Sequence, residues 1–240
     1  MKILFITPNP LGDTVLSTGL LAHLSKIYPR ADFTIATGPL GMSLFEGFSG
    51  LENLISLKKQ KHHLHWGALW KQTVWRRWDI IVDMRNSAVS RLILAKKKYI
   101  KSSEKFDPED HVVVQNAKIM GLGEHPPAPR ISISADQKSR ALNLVPDNGH
   151  KILAVGPTAN FIGKMWPAEN FTELLRRTVR PGGIFENHQV AVFGAPDERD
   201  RAAPVIEALP ADKVIDLVGA TDPGTGAASL DRCNFYVGKD

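Results

Sequence analysis

The chain has 240 residues, of which 43% are hydrophobic and 23% charged, with a formal net charge of +5; such a composition supports a large globular core and excludes a disordered chain. Its single cysteine, Cys233, excludes an internal disulfide and a cysteine-rich zinc cage, suits a reducing cytoplasm and is expected to pack. The opening apolar run, Ile3 to Thr7, is bounded by Pro8 and Pro10 and is too short for a signal peptide or a membrane-spanning helix.

In chain order, Lys2 to Thr7 reads as a strand. The stretch Asn9 to Leu20 follows as a glycine turn opening an amphipathic helix that reaches Tyr28, with Asp13 at its mouth. Strand candidates then recur at Phe33 to Thr37, Asn53 to Leu57, Asp79 to Met84 and Tyr99 to Lys101, separated by helix-length segments, which predicts a parallel α/β unit. Gly and Pro become frequent between Gly121 and Pro129. Arg130 to Ser134 is a further strand candidate and Asp136 to Val145 a helix, and the turn Pro146 to Gly149 places a domain boundary between residues 147 and 148. The rhythm restarts with strands at Lys151 to Val155, Gln189 to Phe193, Lys213 to Val218 and Asn234 to Val237, and helices at Pro167 to Val179 and Asp197 to Leu209. The second unit, 148–240, stops where a strand should hand over to a helix, so a cut end is expected.

Between Lys58 and Lys101 lie twelve Lys or Arg against Asp79 and Asp83, a local +10 that leaves −5 for the rest of the chain. Such a block suits an anionic partner, and charge alone does not choose among nucleic acid, anionic lipid and acidic glycan. No nucleic-acid motif accompanies it, so nucleic acid is the weakest of the three. Trp66, Trp70, Trp75 and Trp78 interleave with Lys71, Arg76 and Arg77 on a predicted helix. That pairing favours a membrane interface, although any one ring can equally pack the helix onto the sheet. Histidines 62, 63 and 65 lack neighbouring Cys, Asp or Glu and sit among lysines, so a solvated run is expected rather than a metal site.

Two constellations can carry chemistry. Asp13, after Gly12, either complements the positive end of its helix or faces a crevice as a general base toward a substrate hydroxyl. The helix end weakens it as a base, so a hydroxyl it activates must be acidified by departure of the leaving group. The loop from Val155 to Pro167 ends a strand, contains Thr158 and carries Lys164 just before a helix; its N–H groups and one ammonium can seat a diphosphate. It is not a Walker A loop, because six residues separate Gly156 from Gly163 and Met165 stands where Ser or Thr is needed. Phe193 to Glu198 repeats the strand, turn and acid order, and an acid there can bond ribose hydroxyls. Gly224 to Ser229 imitates a dinucleotide fingerprint but lacks its third small residue and its downstream acid, and is set aside. No Asp-x-Asp pair exists to hold a divalent metal on a nucleotide diphosphate.

Taken together, Leu11-Gly12-Asp13 with Leu16-Ser17-Thr18, Tyr28 to Ala31, Asp79 to Arg85, His111 to Leu122, Lys164-Met165-Trp166-Pro167, Phe193 to Glu198 and Phe235 to Asp240 resemble the bacterial glycosyltransferase family of the ADP-heptose:lipopolysaccharide heptosyltransferases. The resemblance implies two Rossmann-like domains facing across a cleft, the B-type glycosyltransferase architecture. Residues 1–147 then form an acceptor-binding domain and 148–240 an incomplete nucleotide-sugar domain. It implies inverting, metal-independent transfer without a cofactor, from a nucleotide sugar such as ADP-heptose to an anionic lipid-linked glycan. The place implied is the cytoplasm, with peripheral contact with the inner membrane through residues 58–101. By position, Asp13 is the implied base and Gly12 part of the acceptor or phosphate loop. Thr158, Lys164, Glu198 and Asp240 are implied on the donor, with Lys164 on its diphosphate and Glu198 on its adenosine. Asp240 matches an aspartate that opens an Asp-Ser-Gly segment in the family, and here the chain ends on it. The alternative expectation is therefore a truncated remnant, a non-catalytic module for anionic lipid or glycan.

Overall fold

A computed structural model describes residues 1–102, 107, 109–159, 163 and 165–238. The chain divides into two compact units, Met1–Ser134 and Ala135–Asp240.

The first unit is a five-stranded parallel sheet of β1 (Lys2–Ile6), β2 (Asp32–Thr37), β3 (Leu51–Ser56), β4 (Trp78–Asp83) and β5 (Ala95–Ile100), in the order β3-β2-β1-β4-β5. Ile6 at the end of β1 lies opposite Ala36 on one side and Asp83 on the other. Helix α1 (Leu11–Ile27), the 3₁₀ segment Pro39–Phe45 and α4 (Val112–Lys118) lie on one face. Leu20, Leu21, Leu24 and Phe45 pack there onto Ile3, Phe5, Ile35 and Val82. On the other face α2 (Leu64–Thr73) and α3 (Ala88–Leu92) bring Leu69 and Val89 against Leu4, Ile6 and Ile81. Because both faces are covered, the central strands are mostly apolar on both sides instead of alternating, with Thr34 and Asp83 among the buried polar exceptions.

Strand β5 starts earlier than the expected Tyr99 and takes in exposed Lys96, Lys97 and Lys98. It is an edge strand, where lysines discourage pairing with another chain, so a polar pattern does not argue against strand structure there. Arg130 to Ser134, expected as a strand, takes no strand structure. This stretch instead runs across α1: the Arg130 N–H donates to Thr18 Oγ1 at 2.9 Å, and a Cβ on Gly19 would stand 2.2 Å from the Pro127 carbonyl oxygen.

The second unit is a four-stranded parallel sheet of β6 (Lys151–Gly156), β7 (His188–Val192), β8 (Val214–Asp216) and β9 (Phe235–Gly238), in the order β8-β7-β6-β9. Helices α6 (Ala168–Val179) and α7 (Arg199–Glu207) pack Phe171, Leu175, Ala202 and Val205 onto Leu153, Val190 and Val192. The alternate residues Ile152 and Ala191 face Val145 and Leu217. Helix α5 (Ala135–Leu144) packs with α8 (Pro223–Leu230), and Arg140 Nε donates to Thr225 Oγ1 at 3.0 Å. This attachment draws α5 into the second unit, so the chain divides after Ser134, ahead of the boundary expected after residue 147. Gly224 to Ser229, set aside as a nucleotide fingerprint, is the body of α8, capped by the Asp222 side chain on the Thr225 N–H.

Candidate functional site

In each sheet the chain first winds outward in one direction and then returns to the far side of its first strand. The order reverses between β1 and β4 in the first unit and between β6 and β9 in the second. Loops leaving two such strands part toward opposite faces and open a crevice at their carboxyl ends, where open α/β sheets take ligands.

In the first unit this crevice lies between the loop from β1 to α1 and the loop from β4 to α3. Buried Thr7, Thr14 and Thr37 hold the former: Thr7 Oγ1 lies 2.8 Å from Thr37 Oγ1, and Thr14 Oγ1 donates to the carbonyls of Pro8 or Pro10 at 3.0 Å. The α1 N-cap, Pro10, makes no side-chain cap bond, and the first helical bond runs from Thr14 N–H to Pro10 C=O. The N–H groups of residues 11 to 13 are therefore left for a ligand or water. Gly12 is exposed and a Cβ there would meet nothing within 4 Å, so packing does not demand glycine at this position. Asp13 is half-buried in the first turn, and its carboxylate has no hydrogen bond or ion pair among the described residues. It complements the helix end electrostatically without being consumed as a cap.

Across the crevice, Asp83 is fully buried at the end of β4. Its carboxylate accepts from the Arg85 N–H at 2.7 Å, the Ser87 N–H at 2.7 Å and the Ser87 hydroxyl at 2.6 Å. This local net holds Asn86 at φ 53° and aims Arg85 back over Trp66, with the guanidinium carbon 4.6 Å from the ring centroid. Desolvation pulls the Arg85 guanidinium below the ordinary arginine value, with the Asp83 charge opposing that shift. Its Nη1 is buried and has no partner among the described residues. Sequence reasoning placed Arg85 in a basic block and in a family match but gave it no role, because the stack on Trp66 joins residues from two elements.

In the second unit the loops after β6 and β7 are tied together. Glu198 is only 6% exposed, and its Oε2 accepts from Thr158 Oγ1 and from the Ala195 N–H, each at 2.8 Å. Its Oε1 lies 3.9 Å from Arg201 Nη2, and Arg201 Nη1 donates to the Ala159 carbonyl at 3.0 Å and approaches Met165 Sδ at 3.7 Å. Arg201 thus grips the 157–167 loop at both flanks, a role that sequence reading missed. The proton of Thr158 is committed to a carboxylate, so toward a ligand Thr158 offers only lone pairs. Lys164 and Asp240, both expected on the donor, lie outside the described residues. Beside the crevice, Tyr236 lays its hydroxyl where Cβ atoms on Gly156 or Gly238 would stand only 2.4 and 2.2 Å away, so the ring takes the space that glycine leaves at both strand ends. Burial raises the Tyr236 phenol above its ordinary value.

The expected solvated histidine run is corrected in part: His62 is exposed, but His65 is buried at 5% exposure, with its ring beside Trp66. It sits on the inner side of α2 with Leu69, packed away from the surface. The four tryptophans divide in the same way. Trp78 is buried in β4, its Nε1 donating to the Thr73 carbonyl at 3.0 Å; Trp66 is half-buried on α2; and Trp70 and Trp75 are 41% and 89% exposed. Cys233 packs as expected, with its thiol against the Ser229 carbonyl and pushed up to about 11 by desolvation. Among the described residues no group of three or more His, Cys, Asp or Glu could hold a metal ion, and no helix is long and apolar enough to cross a membrane.

Residues 85–240 match the model of glycosyltransferase family 9 (heptosyltransferase). Lipooligosaccharide heptosyltransferase 2 of Campylobacter jejuni is 25% identical over 260 residues, covering 100% of this chain and 75% of that protein. The glycosyl transferase family 9 structure from Veillonella parvula superposes with a TM-score of 0.81 at 18% identity, over 99% of this chain and 74% of the other. Escherichia coli ADP-heptose lps heptosyltransferase II superposes with a TM-score of 0.74 at 19% identity, over 100% and 79%. At these identities the superpositions carry the fold, two parallel α/β units, and the family match carries the class of protein.

Proposed function

Because the chain belongs to glycosyltransferase family 9, the heptosyltransferases, we propose that it moves a heptose from an ADP-linked donor to an anionic, lipid-linked glycan acceptor, inverting the anomeric centre without a metal ion or a further cofactor. The donor and acceptor classes rest on the name of the Escherichia coli relative, an ADP-heptose lps heptosyltransferase. The observation that carries the chemistry is Asp13, a half-buried carboxylate with no partner among the described residues at the β1/β4 crevice. A buried carboxylate that stabilises a fold is engaged, as Asp83 and Glu198 are; one left open at a ligand crevice is available to accept a proton.

In this reading the acceptor hydroxyl loses its proton to Asp13, and its oxygen attacks the anomeric carbon of the donor. The bond from that carbon to the diphosphate breaks, and ADP leaves with the electron pair. Lys164 and the amides of the 157–167 loop take the charge that develops on the departing phosphate, the contribution expected to dominate the rate. Glu198 serves the donor through its Oε1, the oxygen not already filled by Thr158 and Ala195. Incubating the purified chain with ADP-heptose and a lipid-linked acceptor should release ADP only when both are present. ADP release that ignores the acceptor, or none with any acceptor, overturns the reading.

A second reading, the anionic lipid or glycan module, is favoured by the surface around α2. Leu64, Trp70 and Trp75 are exposed beside Lys58, Lys59, Lys61, Lys71 and Arg77, and none of these five cations has a partner among the described residues. We propose that this patch makes the peripheral contact with the cytoplasmic face of the inner membrane. Flotation with vesicles containing anionic lipid, compared with purely zwitterionic vesicles, tests the contact. Flotation without turnover selects the module over the enzyme.

A further inference from the structure

A guanidinium has five N–H donors and cannot shed its charge, so each donor withdrawn from water needs an acceptor. Arg85 departs from that rule more sharply than any other described arginine. Among the described residues its side chain makes no hydrogen bond and its buried Nη1 has no partner, and one face is covered by Trp66 at 4.6 Å. The nearest opposite charge, Asp83, does not repair this, because its oxygens are filled by the Arg85 and Ser87 backbone N–H groups and the Ser87 hydroxyl. Elsewhere arginines are answered: Arg76 forks onto both oxygens of Glu52, and Arg199 holds both oxygens of Asp216 and the Val218 carbonyl.

Position adds to the argument. Met84 N–H donates to the Ile6 carbonyl, so Arg85 follows the end of β4 beside Pro8, where the chain leaves β1 for Asp13. The two loops diverge at this point of strand-order reversal, and Arg85 and Asp13 stand on its two sides. Aromatic stacking of a guanidinium leaves its edge free for two parallel hydrogen bonds to a planar or tetrahedral oxyanion.

We propose that Arg85, held flat on Trp66, is the anchor for an oxyanion, a carboxylate or a phosphate, on the molecule that enters the β1/β4 crevice. That this molecule is the sugar acceptor rests on the function proposed above; the oxyanion site itself does not. Binding through the part of the guanidinium that stays open in this half-buried side chain fixes the molecule relative to Asp13. It makes an acidic substrate preferred over a neutral one of the same size.

The test uses the full chain and reads the Trp66 indole N–H by NMR, assigned through the Trp66→Phe variant, during titration with glucuronate, glucose 6-phosphate or glucose. The expected result is a saturable shift with one or both acids and none with glucose; the acid giving the tighter curve identifies carboxylate or phosphate. Arg85→Lys, which keeps the charge but loses the fork, should weaken that binding about tenfold or more, and Arg85→Gln should abolish it. Equal responses to glucose and the acids, no saturable shift with either acid, or an Arg85→Lys curve like that of the parent overturns the proposal. If Arg85→Gln does not fold, the ligand series on the parent chain and the lysine variant still decide. The readout needs no turnover, so a chain that binds the acids but transfers no heptose sinks the proposed reaction and leaves this site standing. A chain that transfers heptose without preferring an acid does the reverse.

Discussion

The two sheet-end crevices are built on the same topology and treat their charges in opposite ways. In the first unit Asp13 and the guanidinium of Arg85 are left without hydrogen bonds to the protein among the described residues, while Asp83 beside them is saturated. In the second unit Glu198, Thr158 and Arg201 are joined to one another and to two loops. One crevice keeps both of its open charges for a ligand; in the other, one oxygen of Glu198 and the Arg201 guanidinium hold a long loop in shape. A carboxylate at a strand end is therefore not a catalytic group by position alone, and its partners decide.

Several substitutions break or sharpen this contrast. Asp13→Asn should lower the rate of transfer by about 10²-fold or more, the size of a general-base contribution, with ADP affinity intact. Its unfolding free energy should fall by no more than about 1 kcal/mol, the share of the charge at the helix end, since no hydrogen bond is lost. Full activity in that variant removes Asp13 from the mechanism. Glu198→Ala should do the converse: a buried acceptor of a hydroxyl and an N–H is lost, so denaturant unfolding should show a loss of about 2 to 3 kcal/mol. If that unfolding matches the parent, the loop is held by something other than Glu198.

A smaller effect is expected at His188, which opens β7 with both ring nitrogens buried between Phe185 and Phe235 and without a hydrogen-bond partner among the described residues. Burial, aided by Lys151, holds its imidazole below the ordinary 6.5. The unfolded chain therefore takes up the proton first, and stability is full above about pH 6.5 and falls as the pH drops below it. His188→Phe should remove that acid-side loss, seen as a melting temperature that no longer declines from pH 7 to 5.5; an unchanged decline places the titration elsewhere. The smallest effect belongs to Glu52, whose carboxyl is kept below its ordinary 4.5 first by the hydrogen bond from Arg76. Its contribution is present above pH 4.5 and lost as the pH falls. The pair is largely exposed and screened, so Glu52→Gln should cost about 0.5 kcal/mol at pH 7 and less at high salt. A loss several times larger would show that the pair anchors the edge strand.

The alternation of apolar runs and helix-length segments determined two parallel α/β units, since a strand covered on both faces is mostly apolar wherever it lies in the sheet. The same local reading located Asp13 at the mouth of α1 and Glu198 beyond β7, because a turn and a first helical residue are matters of a few neighbours. It caught only the end of β5, whose edge lysines hide the rest of the strand, and it could not see α5 packing against α8 far along the chain, which places the division of the compact units after Ser134. It could not tell that Glu198 is occupied by Thr158, 40 residues away, while Asp13 is left open. The partners of a charge are set by which loops the sheet order brings side by side. Only the folded chain establishes that order, and with it the stack of Arg85 on Trp66 and the difference between a carboxylate that holds a loop and one that waits for a proton.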